Sequence, residues 1–137
     1  MSNNLTSIGD SAFSGCTHLT GIDIPSSLTS IGDNAFRDCT GIKEIIIPDT
    51  VISLGSSAFA NCTAITKLVV GNGITGAYPH SAFPYASYMS VLQEVYIGTG
   101  ITSISSPVGG SALKYVYIAD GNNLTSISNV CNQCTNV

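Results

Sequence analysis

Five cysteines are the side chains in this chain best suited to chemistry, and their spacing decides which chemistry is open to them. Cys16, Cys39 and Cys62 recur at even intervals, whereas Cys131 and Cys134 form a single C-x-x-C in "VCNQCTNV". A structural zinc needs four convergent nitrogen or sulfur ligands. No second C-x-x-C exists, and neither His18 nor His80 stands at a spacing that would complete the set. No metal is expected. General acid/base work would need converging carboxylates, and the best pair is Glu44 and Glu94. His18, in the loop "CTHL", and His80, in the expansion, have no obvious serine or cysteine partner, and "GNG" and "GTG" open no helix that could hold a phosphate. The expectation is a protein without catalytic residues and without a cofactor.

These residues are placed by a repeat. "LTSIGDSAFSGCT" begins at Leu5, "LTSIGDNAFRDCT" at Leu28 and "VISLGSSAFANCT" at Val51, so Phe13, Phe36 and Phe59 fall 23 residues apart, as do the three cysteines. Self-similarity at such a period marks a solenoid, in which each unit buries its apolar side against the next. Alignment on Leu5, Leu28, Val51, Ile74, Ile101 and Leu124 gives one domain over 1–137, with units 5–27, 28–50, 51–73, 74–100 and 101–123 and a partial unit 124–137. The fourth unit is four residues longer. Each unit ends in a segment such as "IKEIIIP" or "LQEVYIG", whose alternation predicts a strand, so that stacked units form a parallel sheet. The middle, "DSAFSGC" or "DNAFRDC", fits one helical or 3₁₀ turn that drops Phe into the core, with Gly9, Gly32 and Gly55 at the corner before it. The predicted class is an α/β repeat solenoid.

Stacking then settles the cysteine question. Equivalent residues in adjacent coils lie about 4.8 Å apart with parallel side chains, wider than the roughly 3.8 Å between Cβ atoms that a disulfide prefers. Cys16, Cys39 and Cys62 are expected as free thiols in the core; Cys134 reads as a further ladder member, with a Cys131–Cys134 bond as the alternative. Glu44, Lys67 and Glu94 share one outward column and read as a ladder of alternating charge.

The units resemble those of the leucine-rich repeat superfamily, and within it the BspA-like surface-protein type, which read roughly L-T-S-I-G-x-x-A-F-x-x-C-x-x-L-x-x-I-x-I-P. Residues 5–73 match almost letter for letter, the fourth unit departs by its expansion, and the fifth lacks both Phe and Cys. The resemblance implies a right-handed, curved solenoid whose concave sheet binds partners, and a place at the cell surface or outside the cell.

Composition narrows the partners. Four Lys+Arg against eight Asp+Glu and a net charge of −4 leave no basic stripe for a phosphate backbone, so nucleic acid is not expected. No stretch approaches the roughly 18 apolar residues of a membrane span, and the first residues do not form a signal peptide. The outward strand position runs Asp23, Ile46, Val69, Tyr96 and Tyr117, with Tyr115 beside it, a stripe that suits contact with a protein or a glycan on a host or matrix surface. A second candidate is the expansion between Ala77 and Val91, where Tyr78, His80, Tyr85, Tyr88 and Met89 gather. The competing expectation is structural: coils with self-similar ends could stack head to tail into filaments.

Overall fold

The computed structural model describes residues 4–79, 81–83, 91–105, 109–128 and 130. They form a parallel β-solenoid of about 23 residues per coil; the second to fifth coils contribute two strands each and the first only one, its tail "LTGIDIP" lying outside the strands against expectation. The tail of the unit gives the longer strands: β3 (Glu44–Ile47), β5 (Lys67–Val70), β7 (Glu94–Ile97) and β9 (Tyr115–Ile118) form one parallel sheet in that order. The "LTSI" segment and its counterparts give strands of two residues, except in the fifth coil, where the strand has four. β1 (Ser7–Ile8), β2 (Ser30–Ile31) and β4 (Ser53–Leu54) make a second sheet, and β6 (Gly76–Ala77), β8 (Ile101–Ile104) and β10 (Ser126–Ile127) a third.

The middle of the unit is not helical, which corrects the α/β expectation. Among the described residues there is neither an α-helix nor a 3₁₀ turn, and the reason lies in the backbone. Ser11, Asn34 and Ser57 have φ of 56°, 55° and 58°, and Gly15, Asp38 and Asn61 follow four residues later at 76°, 60° and 58°. A left-handed residue at every fourth place interrupts a right-handed turn before it can propagate. Hydrogen bonding alternates to match. The N–H groups of Ala12, Ser14 and Cys16 bond back three residues within the turn, while those of Ser11, Phe13 and Gly15 donate to Asp33, Ala35 and Arg37 of the next coil. Around most strands the inter-coil direction is the opposite, Thr29 donating back to Thr6, Gly32 to Ile8 and Gly98 to Val70, whereas Gly76 and Tyr78 donate forward to Gly100 and Ser103.

Side chains extend this scheme at the corners. Asp10 Oδ1 accepts the Asp33 N–H at 2.8 Å and Asp33 Oδ1 accepts the Ser56 N–H at 2.7 Å, so each coil satisfies a backbone donor of its successor. The interior is apolar apart from the hydroxyl of the buried Tyr78 and the thiols of Cys39 and Cys62, and no charged side chain is buried among the described residues. Its spine is a stack of rings, Phe13 on Phe36 on Phe59 on Phe83, with centroids 5.1, 5.3 and 5.0 Å apart and planes within 5°. Phe83 is therefore the fourth rung. Of the four extra residues in the fourth unit, one precedes Phe83 and three follow it, so the expansion is divided around "SAF" rather than replacing it.

The cysteine ladder has the expected bonding but not a uniform environment. Cys39 Sγ donates to the Phe13 carbonyl at 3.0 Å and Cys62 Sγ to the Phe36 carbonyl at 3.1 Å. All three are free thiols; Cys39 and Cys62 are buried, while Cys16 is exposed, because no described coil lies over its side of the first coil. Burial raises the Cys39 thiol, and burial ahead of the neighbouring Cys39 pushes Cys62 up to about 12. Alkylation of the native protein at pH 8 is accordingly expected to modify Cys16 at least a hundredfold faster than Cys39 or Cys62. Peptide mass spectrometry reads the rates, and in denaturant without reductant all three should label fully. Equal native rates would overturn the burial, and any disulfide among them would overturn the ladder. Cys131 and Cys134 lie outside the described residues.

Candidate functional site

The register of the four-stranded sheet brings the sequence-predicted stripe together. Ile46 pairs with Val69, Val69 with Tyr96 and Tyr96 with Tyr117, so the four residues stand in one outward column across four coils. Alternation explains why: Ile45, Ile47, Leu68, Val70, Val95 and Ile97 all turn into the core, which leaves the residue between each pair outside. Ile46 is 49% exposed and Tyr117 45%, whereas Val69 and Tyr96 are half-buried by their neighbours. Tyr115, 51% exposed, closes the adjacent column of Glu44, Lys67 and Glu94. Asp23 is exposed but lies outside the strands. Ile118, expected inside with Val116, is itself 38% exposed, because β9 is the edge of the described sheet and pairs only with β7.

The tyrosines are ordered against one another. Tyr96 and Tyr117 stack at 4.5 Å with an 11° angle between rings, and Tyr115 lies 5.8 Å from Tyr117. Lys67 Nζ bonds Glu44 Oε1 at 2.9 Å and sits 5.5 Å from the centre of the Tyr96 ring, a cation over an aromatic face. The Glu44 carboxylate raises the Lys67 ammonium's pKa, keeping it charged. Tyr96 donates its hydroxyl to Glu94 Oε2 at 3.3 Å, and its pKa is raised by desolvation first and by the Glu94 charge second. The Glu44–Lys67–Glu94 column is thus a charge ladder, with its closed ion pair between the first two members.

A depression of about 250 Å³ opens at the far ends of these strands, with Tyr96, Tyr117, Asp49 and Asn72 among its lining residues. It exists because the corner position after the strand, Pro25 and Pro48 in the first two coils, becomes Gly71, Gly98 and Ala119 in the next three, so no side chain fills it. Asp49 Oδ1 accepts the Asn72 N–H at 2.8 Å and Oδ2 accepts Asn72 Nδ2 at 3.1 Å, which fixes the carboxylate. Asn72 Oδ1 in turn accepts the Thr99 N–H at 2.8 Å. Sequence reasoning passed over this notch; its signal was the polar residue that recurs just after each strand in "PDT", "GNG" and "GTG". A second, polar depression lies at the starts of the strands, lined by Lys43, Glu44, Thr66, Lys67, Gln93 and Glu94.

The expansion fares differently. Tyr78 is not a surface residue: it is 3% exposed and packs in the core, its N–H donating to the Ser103 carbonyl at 2.9 Å, and burial raises the pKa of its hydroxyl. It is therefore removed from the recognition candidates. His80, Tyr85, Tyr88 and Met89 lie outside the described residues. Among the described residues no three His, Cys, Asp or Glu side chains could hold a metal, and no helix is long and apolar enough to cross a membrane.

Comparison with known proteins agrees with the architecture. No curated protein matches the chain. A leucine-rich repeat protein of T. pallidum (TpLRR) superposes with a TM-score of 0.58 at 18% identity, covering 93% of this chain and 64% of its own. A leucine-rich repeat protein from Bacteroides ovatus ATCC 8483 gives 0.48 at 18% identity, covering 94% and 56%. The chain thus spans less than two thirds of either structure. The profile of the BspA type leucine rich repeat region matches residues 1–111 in 6 copies. That profile covers most of the chain, and the chain belongs to the BspA-type leucine-rich repeat family.

Proposed function

We propose that this chain is a noncatalytic recognition module of a protein displayed at the cell surface or secreted, which receives a protein or glycan partner on its four-stranded sheet. Leucine-rich repeat proteins are in general noncatalytic interaction scaffolds, and that supports the class of function. The single observation that carries the site is the outward column Ile46, Val69, Tyr96 and Tyr117, extended by Tyr115: an apolar and aromatic strip in a strand register that leaves three of its members about half exposed. Strand propensity accounts for such residue types, and aromatic residues are also enriched at binding surfaces, where they supply contact area with a polar handle.

Converting both Tyr96 and Tyr117 to serine is the test. The fold should survive with a melting temperature lowered by less than about 5 °C, since both rings stand outside the core. Binding to a host-cell or matrix preparation, measured by adhesion and pull-down, should weaken at least about tenfold. A stable double variant with undiminished binding would remove the stripe as the site. Light scattering across a concentration series separates this reading from head-to-tail filaments, which would grow with concentration and leave partner binding indifferent to the tyrosines.

A further inference from the structure

The polar depression at the starts of the strands holds about 380 Å³, within the roughly 300–1,000 Å³ usual for small-molecule sites. Two neighbouring columns line it, Lys43, Thr66 and Gln93 in one and Glu44, Lys67 and Glu94 in the other. The first column is kept in step by the backbone: the Lys43 carbonyl accepts the N–H groups of Thr66 and Lys67, and the Thr66 carbonyl those of Gln93 and Glu94.

These side chains are held in place, and each keeps a hydrogen-bonding group in reserve. Glu44 Oε1 takes the Lys67 ammonium at 2.9 Å, which leaves Oε2; Glu94 Oε2 accepts the Tyr96 hydroxyl at 3.3 Å, which leaves Oε1. Lys114 Nζ donates to Gln93 Oε1 at 3.0 Å, so the NH₂ is the open end of that amide. Thr66 gives its hydroxyl proton to the Lys43 carbonyl at 3.2 Å and keeps its lone pairs. The Lys43 ammonium is unpaired among the described residues.

An apolar occupant would strand all of these groups. Two ammonium groups stand against two carboxylates in the lining, with one of each already paired, so neither an acidic nor a basic segment is favoured. The fitting ligand is neutral and must both donate and accept, as a hydroxyl does. A peptide main chain could pair only at a sheet edge, whereas the strands beneath the depression are already bonded on both sides at β5 and β7. A sugar carries hydroxyls around its whole rim. The register also sets Tyr115, 51% exposed, next to Glu94 in the same column, an apolar neighbour for the C–H groups of a sugar ring.

We infer that this depression binds a neutral glycan, a short run of sugar rings lying across the Glu44–Lys67–Glu94 column. Its hydroxyls donate to the open oxygens of Glu44 and Glu94 and accept from the Gln93 amide and the Lys43 ammonium. This rests on the reading of the sheet as the recognition face and narrows its partner from protein or glycan to a glycan without charge.

The probes are maltohexaose, laminarihexaose and mannohexaose, neutral oligosaccharides of different linkage, titrated by calorimetry. A heparin hexasaccharide supplies the charged comparison, and a blocked Gly-Asn-Ser-Gly-Asn-Ser peptide stands for a neutral segment of protein. At least one neutral hexasaccharide should bind with a Kd of about 1 mM or tighter, and more tightly than the heparin fragment or the peptide. Raising the salt from about 50 to about 500 mM should change that affinity less than about twofold. Gln93→Ala and Glu94→Ala should each weaken it about fivefold or more, and Ile52→Ser, exposed beside β4 in the second sheet, should leave it unchanged. Thermal melts confirm that each variant is folded. No binding of any neutral hexasaccharide, indifference to both alanine variants, or tighter binding of the heparin fragment or the peptide would overturn the inference. The serine double variant tested against the surface preparation judges the broader reading separately, since the sheet can remain the recognition face when all three neutral hexasaccharides fail.

Discussion

Replacing Phe59 with alanine is expected to destabilise the protein by about 3–5 kcal/mol, among the largest losses available to a single substitution here. The ring is fully buried and has neighbours on both faces, Phe36 at 5.3 Å and Phe83 at 5.0 Å. Its removal would leave a void that neither neighbour can close without abandoning its own stack, and the surrounding coils are pinned by inter-coil bonds, including Phe59 N–H to the Ala82 carbonyl. Phe13, partly exposed in the first coil, supplies the internal comparison, since its truncation should cost clearly less. Urea unfolding of both variants measures the difference. A loss under about 1 kcal/mol at Phe59, or equal losses at the two sites, would contradict the continuous spine.

A single methyl group added at Gly55 should cost about 3 kcal/mol, lowering the melting temperature by roughly 10 °C, while the same change at Gly9 should cost almost nothing. The two glycines occupy the same place in the repeat, and neither has a positive φ. What separates them is the coil beneath. A Cβ at Gly55 would collide with the backbone of Gly32 and Asp33 and come within 2.6 Å of Asp33 Oδ1, whereas at Gly9 nothing lies within 4 Å. Asp33 cannot simply move aside, because its carboxylate holds the Ser56 N–H. Gly55→Ala and Gly9→Ala, compared by calorimetry, therefore test whether close approach of coils, rather than turn geometry, demands the glycine. Equal effects would restore the turn explanation.

Much of this was legible from the residues because a repeat amplifies weak signals. The alternation in "EIII", "KLVV", "EVYI" and "YVYI" is only four residues long, yet its recurrence at fixed spacing fixed the register that pairs Ile46 with Val69, Tyr96 and Tyr117. The charge ladder and the free thiols followed from the same stacking. Less legible was whatever depended on backbone conformation or on an irregular interval. The turn at Asn34 looked helical because its spacing suits a helix; only its φ of 55° shows otherwise. "LTSI" was read for its core positions and not as a strand, since two residues of pairing leave no visible period. Phe83 was absorbed into the expansion because it falls 24 residues after Phe59 rather than 23, and Tyr78 went with it although its neighbours in space are core residues.

The opposed directions of the inter-coil bonds have an electrical consequence. In an α-helix every peptide dipole adds to the next, and the two ends acquire partial charges of opposite sign. Here the N–H groups of the turns at Ser11, Phe13, Asn34 and Phe36 point toward the following coil, while those flanking the strands at Thr29, Gly32, Ile52 and Gly55 point toward the preceding one. The two sets of dipoles oppose one another along the axis, as alternating strand dipoles do in sheets. Opposed sets of this kind keep the peptide dipoles from summing as they do in a helix, so whole coils can be added without building up end charges of the helical sort.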